Sequence, residues 1–249
     1  LSGAGVVLAD AIEDCKNIAE KLDAPVACGY QHNDSFPGKH PLAVGPLGYN
    51  GSKAAMEIIS KADVVLALGT RLNPFSTLPG YGIDYWPKEA KIIQVDINSD
   101  RIGLAKKISV GICGDAKLVA KQILDQLSST AGDEGREDRK ALIHQTKSSW
   151  LQTLTSLDHE EDDEGTSWNK DSRERDPDRM SPRMAWRAIQ AGLPDNAIIS
   201  SDIGNNCAIG NAYPTFEQGR KYLAPGLFGP CGYGFPSVLG AKIGCPDTP

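Results

Sequence analysis

The pattern of hydrophobic and polar positions over residues 1–127 predicts helices and strands in alternation. Apolar residues recur at helical spacing from Leu8 to Leu22, and Pro25 ends that helix. The runs 63–69 and 91–97 are apolar on both faces, which is typical of buried parallel strands. The pattern also predicts strands at Pro25–Gly29 and Val110–Gly114, a loop over Gln31–Gly51, and helices over Lys53–Ala62 and after the capping residue Asp115. The expected fold is a doubly wound, Rossmann-like α/β domain over residues 1–127, with most of its first strand truncated.

The pattern changes after residue 127. A predicted helix over Lys140–Leu157 precedes an acidic run at 158–164 and a mixed-charge stretch at 171–179, and such composition is typical of solvated linkers. Ser181-Pro182 then predicts the start of a helix that reaches Ala191, and 197–202 predicts a strand. We therefore expect a linker with an acidic insertion at 128–180 and the truncated start of a second α/β domain at 181–249.

Composition and charge exclude several classes of function. The chain has 249 residues and a net charge of −6, which disfavours nonspecific binding to nucleic acid or to anionic membranes. No apolar run approaches the ~20 residues of a membrane span, and the first residues do not resemble a signal peptide. The six cysteines are widely spaced and predict free thiols rather than disulfides or a zinc site. We expect a cytoplasmic protein without nucleic-acid or membrane partners.

Two glycine-rich segments are the candidate chemistry. Asp202-Ile203-Gly204-Asn205-Asn206-Cys207 directly follows a predicted strand, where N–H groups and amides could bind a diphosphate. Gly226–Pro236 contains several glycines that allow a ligand to approach the backbone, and a helix-like stretch follows it. Taken separately, the first segment is more typical of a structural turn, and the second is equally compatible with a tight structural loop.

Together and in this order, the two segments resemble the pyrophosphate domain of thiamine-diphosphate enzymes, a family that includes acetohydroxyacid synthase, pyruvate oxidase and benzaldehyde lyase. The upstream region resembles the central domain of the same family at Gly69-Thr70-Arg71-Leu72, at 94–98 and at Gly114-Asp115-Ala116. The resemblance covers nearly the whole chain. It implies thiamine diphosphate and Mg²⁺ as cofactors.

The resemblance also implies roles for individual residues. Asn205 and Asn206 match the positions that approach the diphosphate, although relatives often carry Gln and His there. Gly229 matches the residue whose carbonyl accepts from the 4′-amino group of the aminopyrimidine. Cys231 matches the residue whose amide meets a ring nitrogen and whose side chain wedges the cofactor, and Gly232 belongs to the same binding loop. Relatives place a larger Met, Ile or Leu at the position of Cys231.

Other parts of the family's machinery are not expected in this chain. The resemblance places the catalytic Glu in a preceding domain and the metal-binding Gly-Asp-Gly motif after Pro249. We therefore expect no catalytic residue and no metal ligand here, and no activity of this chain alone. Some relatives bind FAD or ADP in the central domain, but the resemblance is to a member without a flavin.

Within the family, the segments 29–36, 73–80 and 202–213 resemble the members that convert sulfoacetaldehyde and phosphate to acetyl phosphate and sulfite, with the acetyl group carried on the cofactor. The implied enzyme acts on these small molecules as a homo-oligomer. The alternatives are an acetolactate-synthase-like carboligase and a nonenzymatic nucleotide-binding regulatory domain.

The anionic substrates require cationic groups in the site that binds them. Two histidines in a predicted loop are further candidates for contact with a ligand. Arg71, Arg220 and Lys221 are candidates by charge, although we expect surface salt bridges for each of them. For His32 and His40 we expect solvent exposure rather than a ligand.

Overall fold

A computed structural model describes residues 1–127, 135–159, 180–226 and 228–249 of the chain. The helices of these ranges are α1 (Ala4–Leu8), α2 (Ile12–Leu22), α3 (Lys53–Ile59), α4 (Pro74–Thr77), α5 (Ala116–Leu127), α6 (Arg136–His159), α7 (Pro182–Gly192), α8 (Asn205–Ala212) and α9 (Gly234–Gly244). The strands are β1 (Val26–Cys28), β2 (Ala43–Pro46), β3 (Val64–Leu68), β4 (Lys91–Asp96), β5 (Val110–Cys113), β6 (Ile199–Ser200) and β7 (Tyr222–Leu223).

Ser2 joins two groups of parallel strands, β1–β2 and β3–β5, which together form the sheet of the first unit of the chain. β1 pairs with β2, and β3 pairs with β4, which in turn pairs with β5. Ser2 forms parallel bridges to Cys28 on one side and to Leu68 on the other. When Ser2 is counted as the first strand, the order along the sheet is 3-2-1-4-5-6, the order of Rossmann folds. The predicted fold class is therefore confirmed.

Two helix pairs cover the sheet and build the core of this unit. α2 packs with α5, and α3 packs with α6. Helix α2 ends at Leu22, as the following Asp23-Ala24-Pro25 sequence predicts, and Asp23 adopts a left-handed conformation. The carboxylate of Asp115 accepts hydrogen bonds from the N–H groups of Lys117 and Leu118, so the predicted cap of α5 is present. Ile143 of α6 is buried in the core, so α6 belongs structurally to the first unit.

The segment 128–180 is described only in part. Helix α6 confirms the helix predicted over Lys140–Leu157 and extends it at both ends. The larger part of the acidic run and all of the mixed-charge stretch lie outside the described residues. The domain boundaries at 127 and 180 remain predictions.

Three local predictions are wrong. The stretch Gln31–Gly51 is not all loop, because it contains β2. This segment forms a strand by pairing with β1, although it includes Gly45 and Pro46. Leu8 is not on the apolar face of α2, since it ends the separate helix α1 and is 74% exposed. The strand β3 is not buried throughout, since Val64 at its start is half exposed.

The second unit contains β6, β7 and the helices around them. The hydroxyl of Ser181 accepts a hydrogen bond from the N–H of Met184, and Pro182 follows at the first helical position, as the sequence predicts. β6 and β7 form a short parallel pair. The hydroxyls of Ser200 and Ser237 lie 2.6 Å apart and connect β6 to α9. This arrangement leaves the loop after β6 next to the start of α9.

Candidate functional site

The loop after β6 leads directly into α8. Gly204 has φ +96° and ψ −152°, a conformation open essentially only to glycine, and it caps the helix. Asn205 and Asn206 therefore occupy the first turn of α8, and both are exposed. First-turn N–H groups have no partner within a helix and carry the positive end of its dipole. This loop presents donors that suit an anionic group.

The glycine-rich segment before α9 lies against the same loop. A Cβ atom on Gly229 would lie 3.2 Å from Cδ1 of Ile203, and Gly229 and Gly232 have φ of +64° and +87°. The two positive φ values explain why the backbone favours glycine at these positions. Cys231 lies between them as an exposed free thiol.

Asp202 connects the two segments. Its Oδ1 accepts hydrogen bonds from the N–H groups of Ile203 at 2.7 Å and Gly232 at 3.0 Å. Its Oδ2 accepts from the N–H of Gly234 at 2.9 Å. The N–H groups of Gly234 and Ile203, in that order, lower the pKa of Asp202, so the carboxylate is charged at neutral pH. One carboxylate thus fixes the loop before α9 against the loop before α8.

The structure therefore brings the predicted cofactor-binding residues into neighbouring segments. Asn205 and Asn206 follow Ile203, while Gly229, Cys231 and Gly232 lie on the loop that Ile203 and Asp202 contact. Asp202 belongs to the predicted motif, but the sequence alone indicated no role for it. An aspartate that directly follows a strand and precedes a glycine is a common acceptor for loop N–H groups, and this signal could have identified it.

A separate cleft of about 480 Å³ lies at the carboxyl ends of the strands in the first unit. Its lining includes Gly5, Gly69, Arg71, Asp96 and other residues, all between residues 4 and 116. None of the predicted cofactor-binding residues lines it. The expectation that no FAD or ADP binds in this unit stays a prediction.

The salt bridges predicted for the three cationic candidates are wrong for the described residues. Arg71 lines the cleft of the first unit, and Arg220 donates to the carbonyl of Leu8 at 3.2 Å. The backbone N–H of Lys221 donates to Asp34, and no described carboxylate forms an ion pair with any of these three side chains.

The expected solvation of the two histidines is also wrong. His40 lies 3.1 Å from a carboxylate oxygen of Glu20 and packs edge-on against Phe36. His32 lines the cleft, where burial, and secondarily the charge of Arg71, lower its pKa to about 4. Tertiary packing leaves both side chains only partly exposed, which the polar composition of the loop did not indicate.

The free energy of unfolding is expected to fall as the pH drops below the normal range of histidine, because unfolded His32 takes up a proton that buried His32 does not. The pKa of His32 is lower in the folded state than in the unfolded state. The contribution of neutral His32 to the free energy of unfolding is therefore complete above the unfolded pKa and is lost as the pH falls toward about 4. The loss between pH 7 and 5 should be ~2 kcal/mol.

The measurement is equilibrium denaturation of the full-length protein at both pH values. His32→Gln should reduce the difference between them, whereas His144→Gln, a change at an exposed position of α6, should leave it unchanged. An equal pH dependence in the wild type and in His32→Gln would contradict the assignment.

Two further observations concern metal ions and membranes. Among the described residues, no group of three or more His, Cys, Asp or Glu side chains could hold a metal ion. Within the same ranges, no helix combines the length and the apolar character required to cross a membrane.

Comparison with known proteins places both units in one family. The family model "thiamine pyrophosphate enzyme, central domain" matches residues 1–123, and "thiamine pyrophosphate enzyme, C-terminal TPP binding domain" matches residues 202–249. Thiamine pyrophosphate is the same compound as thiamine diphosphate. The second match begins at Asp202 and contains both glycine-rich segments.

The chain is 78% identical to a probable sulfoacetaldehyde acetyltransferase of Rhizobium meliloti (strain 1021) and 76% identical to a sulfoacetaldehyde acetyltransferase of Roseovarius nubinhibens. These alignments cover all of this chain but 42% and 41% of the relatives. A probable acetolactate synthase large subunit of Methanocaldococcus jannaschii is 32% identical over 99% of this chain and 39% of its own length. The chain thus spans about two fifths of the curated relatives it matches.

Proposed function

The chain belongs to the thiamine pyrophosphate enzymes, and on this premise we propose that it is part of an acetyltransferase that converts sulfoacetaldehyde and phosphate to acetyl phosphate and sulfite. The observation that carries the proposal is the identity of 76–78% over the whole chain with proteins named for this activity. The acetolactate synthase relative is far less similar, which favours the acetyltransferase over the carboligase.

The geometry of the second unit is compatible with thiamine diphosphate. The first turn of α8 offers N–H donors and the exposed amides of Asn205 and Asn206, which suit a diphosphate. The neighbouring loop has no Cβ at Gly229 and Gly232, so its backbone is accessible to a ligand. We call these two segments, residues 202–206 and 228–234, the cofactor cradle.

We assign the residues of the cofactor cradle as follows. Asn205 and Asn206 bind the diphosphate, and the carbonyl of Gly229 accepts from the amino group of the pyrimidine. The amide of Cys231 meets a ring nitrogen, and its side chain supports the bent form of the cofactor beside Gly232. When bound, thiamine diphosphate supplies the nucleophilic carbon for reaction with the aldehyde. The protein contributes orientation of the reactants and exclusion of water.

The cationic candidates Arg71 and Arg220 remain outside this assignment. Arg71 lines a cleft to which no residue of the cofactor cradle contributes, so we do not assign it to the sulfonate or to phosphate. Arg220 is engaged with the backbone of Leu8.

The proposal includes Mg²⁺ as the partner of the diphosphate, because a divalent cation neutralises its charge. As the resemblance to the family implies, we propose that the ligands of this metal belong to another part of the full-length enzyme. We also propose a homo-oligomer and a cytoplasmic location. The six free thiols, three of them buried, support a reducing compartment.

The test is an assay of the full-length enzyme with sulfoacetaldehyde, phosphate, thiamine diphosphate and Mg²⁺. We expect acetyl phosphate and sulfite in equal amounts, because one molecule of sulfoacetaldehyde yields one of each. Omission of phosphate or of the cofactor should abolish both products. Acetolactate formed from pyruvate without release of sulfite from sulfoacetaldehyde would support the carboligase instead, and a protein that binds no thiamine diphosphate would exclude both enzymes.

A further inference from the structure

A buried asparagine anchors the far end of α8 to the first unit. Asn211 has no exposed surface, and its Oδ1 accepts a hydrogen bond from the backbone N–H of Gln31 at 2.7 Å. Its Nδ2 donates to the carbonyl of Tyr49 at 2.8 Å, and its own carbonyl accepts from Nδ2 of Asn33 at 2.9 Å. Asn211 thus uses its side chain and its backbone to bind two separate segments of the first unit.

The loop that contains Gln31 and Asn33 also holds β7. The carboxylate of Asp34 is buried and accepts hydrogen bonds from the N–H groups of Lys221 at 3.1 Å and Tyr222 at 3.4 Å. Asn33 additionally donates to the carbonyl of Pro214 at 3.0 Å. Buried polar groups of this kind strongly favour a single arrangement, because any displacement leaves them without partners.

The same loop contacts Cys207 and Gly226, which flank the cofactor cradle in the sequence. The hydroxyl of Tyr30 lies 3.2 Å from the Sγ atom of Cys207 in α8, and the side-chain amide of Gln31 contacts the same sulfur. A Cβ atom on Gly226 would lie 3.0 Å from Oε1 of Gln31. The side chain of Gln31 therefore lies between the first half of α8 and the start of the glycine-rich loop.

We propose that the loop 30–34 positions α8 for cofactor binding and that Asn211 is the positioning residue through which it acts. The inference rests on the proposed function and deepens it. Asn211 lies six residues after Asn205, a distance of about 9 Å along the helix axis. Since α8 is a single short rigid element, fixing its end at Asn211 fixes the direction in which the N–H groups at Asn205 and Asn206 point.

Loss of the Asn211 contacts should weaken the affinity of the full-length enzyme for thiamine diphosphate without lowering its turnover at saturating cofactor. Asn211→Leu keeps the approximate size but removes both side-chain hydrogen bonds, so the dissociation constant for thiamine diphosphate should rise about tenfold. Turnover at saturating cofactor should stay close to that of the wild type, because bound cofactor restores the orientation of α8. Titration of the apoenzyme with thiamine diphosphate, followed by activity at saturation, measures the two quantities.

A second variant keeps the test decisive if Asn211→Leu does not fold. Asn33→Ala removes hydrogen bonds to the carbonyls of Asn211 and Pro214 without changing α8 and should weaken cofactor binding in the same direction. Asn17→Leu makes the same chemical change as Asn211→Leu at an exposed position of α2 and should have no effect.

Thermal unfolding of the apoenzyme distinguishes positioning from mere stabilisation. If both variants lower the unfolding temperature but bind thiamine diphosphate with wild-type affinity, the contacts are only structural and the inference is overturned. If the wild-type enzyme itself binds no thiamine diphosphate, the proposed function fails first, and the inference falls with it.

Discussion

Substitution of Gly229 by valine is expected to raise the dissociation constant for thiamine diphosphate more than a hundredfold in the full-length enzyme. Gly229 has φ +64°, which a β-branched residue rarely adopts, and a Cβ atom there would lie 3.2 Å from Ile203. The valine methyl groups would also occupy space next to the proposed pyrimidine site. A combined penalty of ~3 kcal/mol corresponds to more than a hundredfold.

Titration of the apoenzyme and turnover at several cofactor concentrations measure this effect. Gly82→Val is the matched control, because Gly82 also has a positive φ, of +72°, but a Cβ atom there would meet nothing within 4 Å. The control should keep wild-type cofactor affinity. Normal binding and normal turnover of Gly229→Val would show that this loop does not hold the pyrimidine.

Removal of the Asp202 carboxylate is expected to weaken binding of thiamine diphosphate roughly thirtyfold, because charge-assisted hydrogen bonds are the stronger ones and three are lost together. In Asp202→Ala, the N–H groups of Ile203, Gly232 and Gly234 lose their common acceptor. The loop before α9 then has no fixed position relative to α8.

Asp202→Asn should have an intermediate effect. Its remaining carbonyl oxygen can accept from Ile203 and Gly232, but the amide nitrogen cannot accept from Gly234. Asp100→Ala removes a carboxylate at an exposed position of the first unit and serves as the control. Equal affinities of wild type and Asp202→Ala would exclude the carboxylate as the connection between the two segments.

Local sequence predicted those elements whose boundaries are set by neighbouring residues. The apolar spacing of α2, the Asp115 cap of α5 and the Ser181-Pro182 start of α7 all act within one or two helical turns. The same holds for the two glycine-rich segments, because positive φ values leave a direct trace in the sequence as glycine.

Features that depend on residues distant in the sequence left no such local pattern. β2 contains Gly45 and Pro46 and is a strand because β1 lies beside it. The sequence neighbours of His32 indicate a polar loop residue, whereas its tertiary position makes it a partly buried residue that lines the cleft.

Some features of the candidate site were likewise predictable from the sequence, and others were not. The sequence by itself determined the α/β class and the two motifs, and its resemblance to thiamine-diphosphate enzymes indicated the residues that approach the cofactor. Only the tertiary structure decided that Asp202 joins the two motifs and that Asn211 is bound by Gln31 and Tyr49. The physical reason is that these hydrogen bonds join residues 30 to 180 positions apart, and a polar side chain gives no local sign of the partner it will find once the chain is folded.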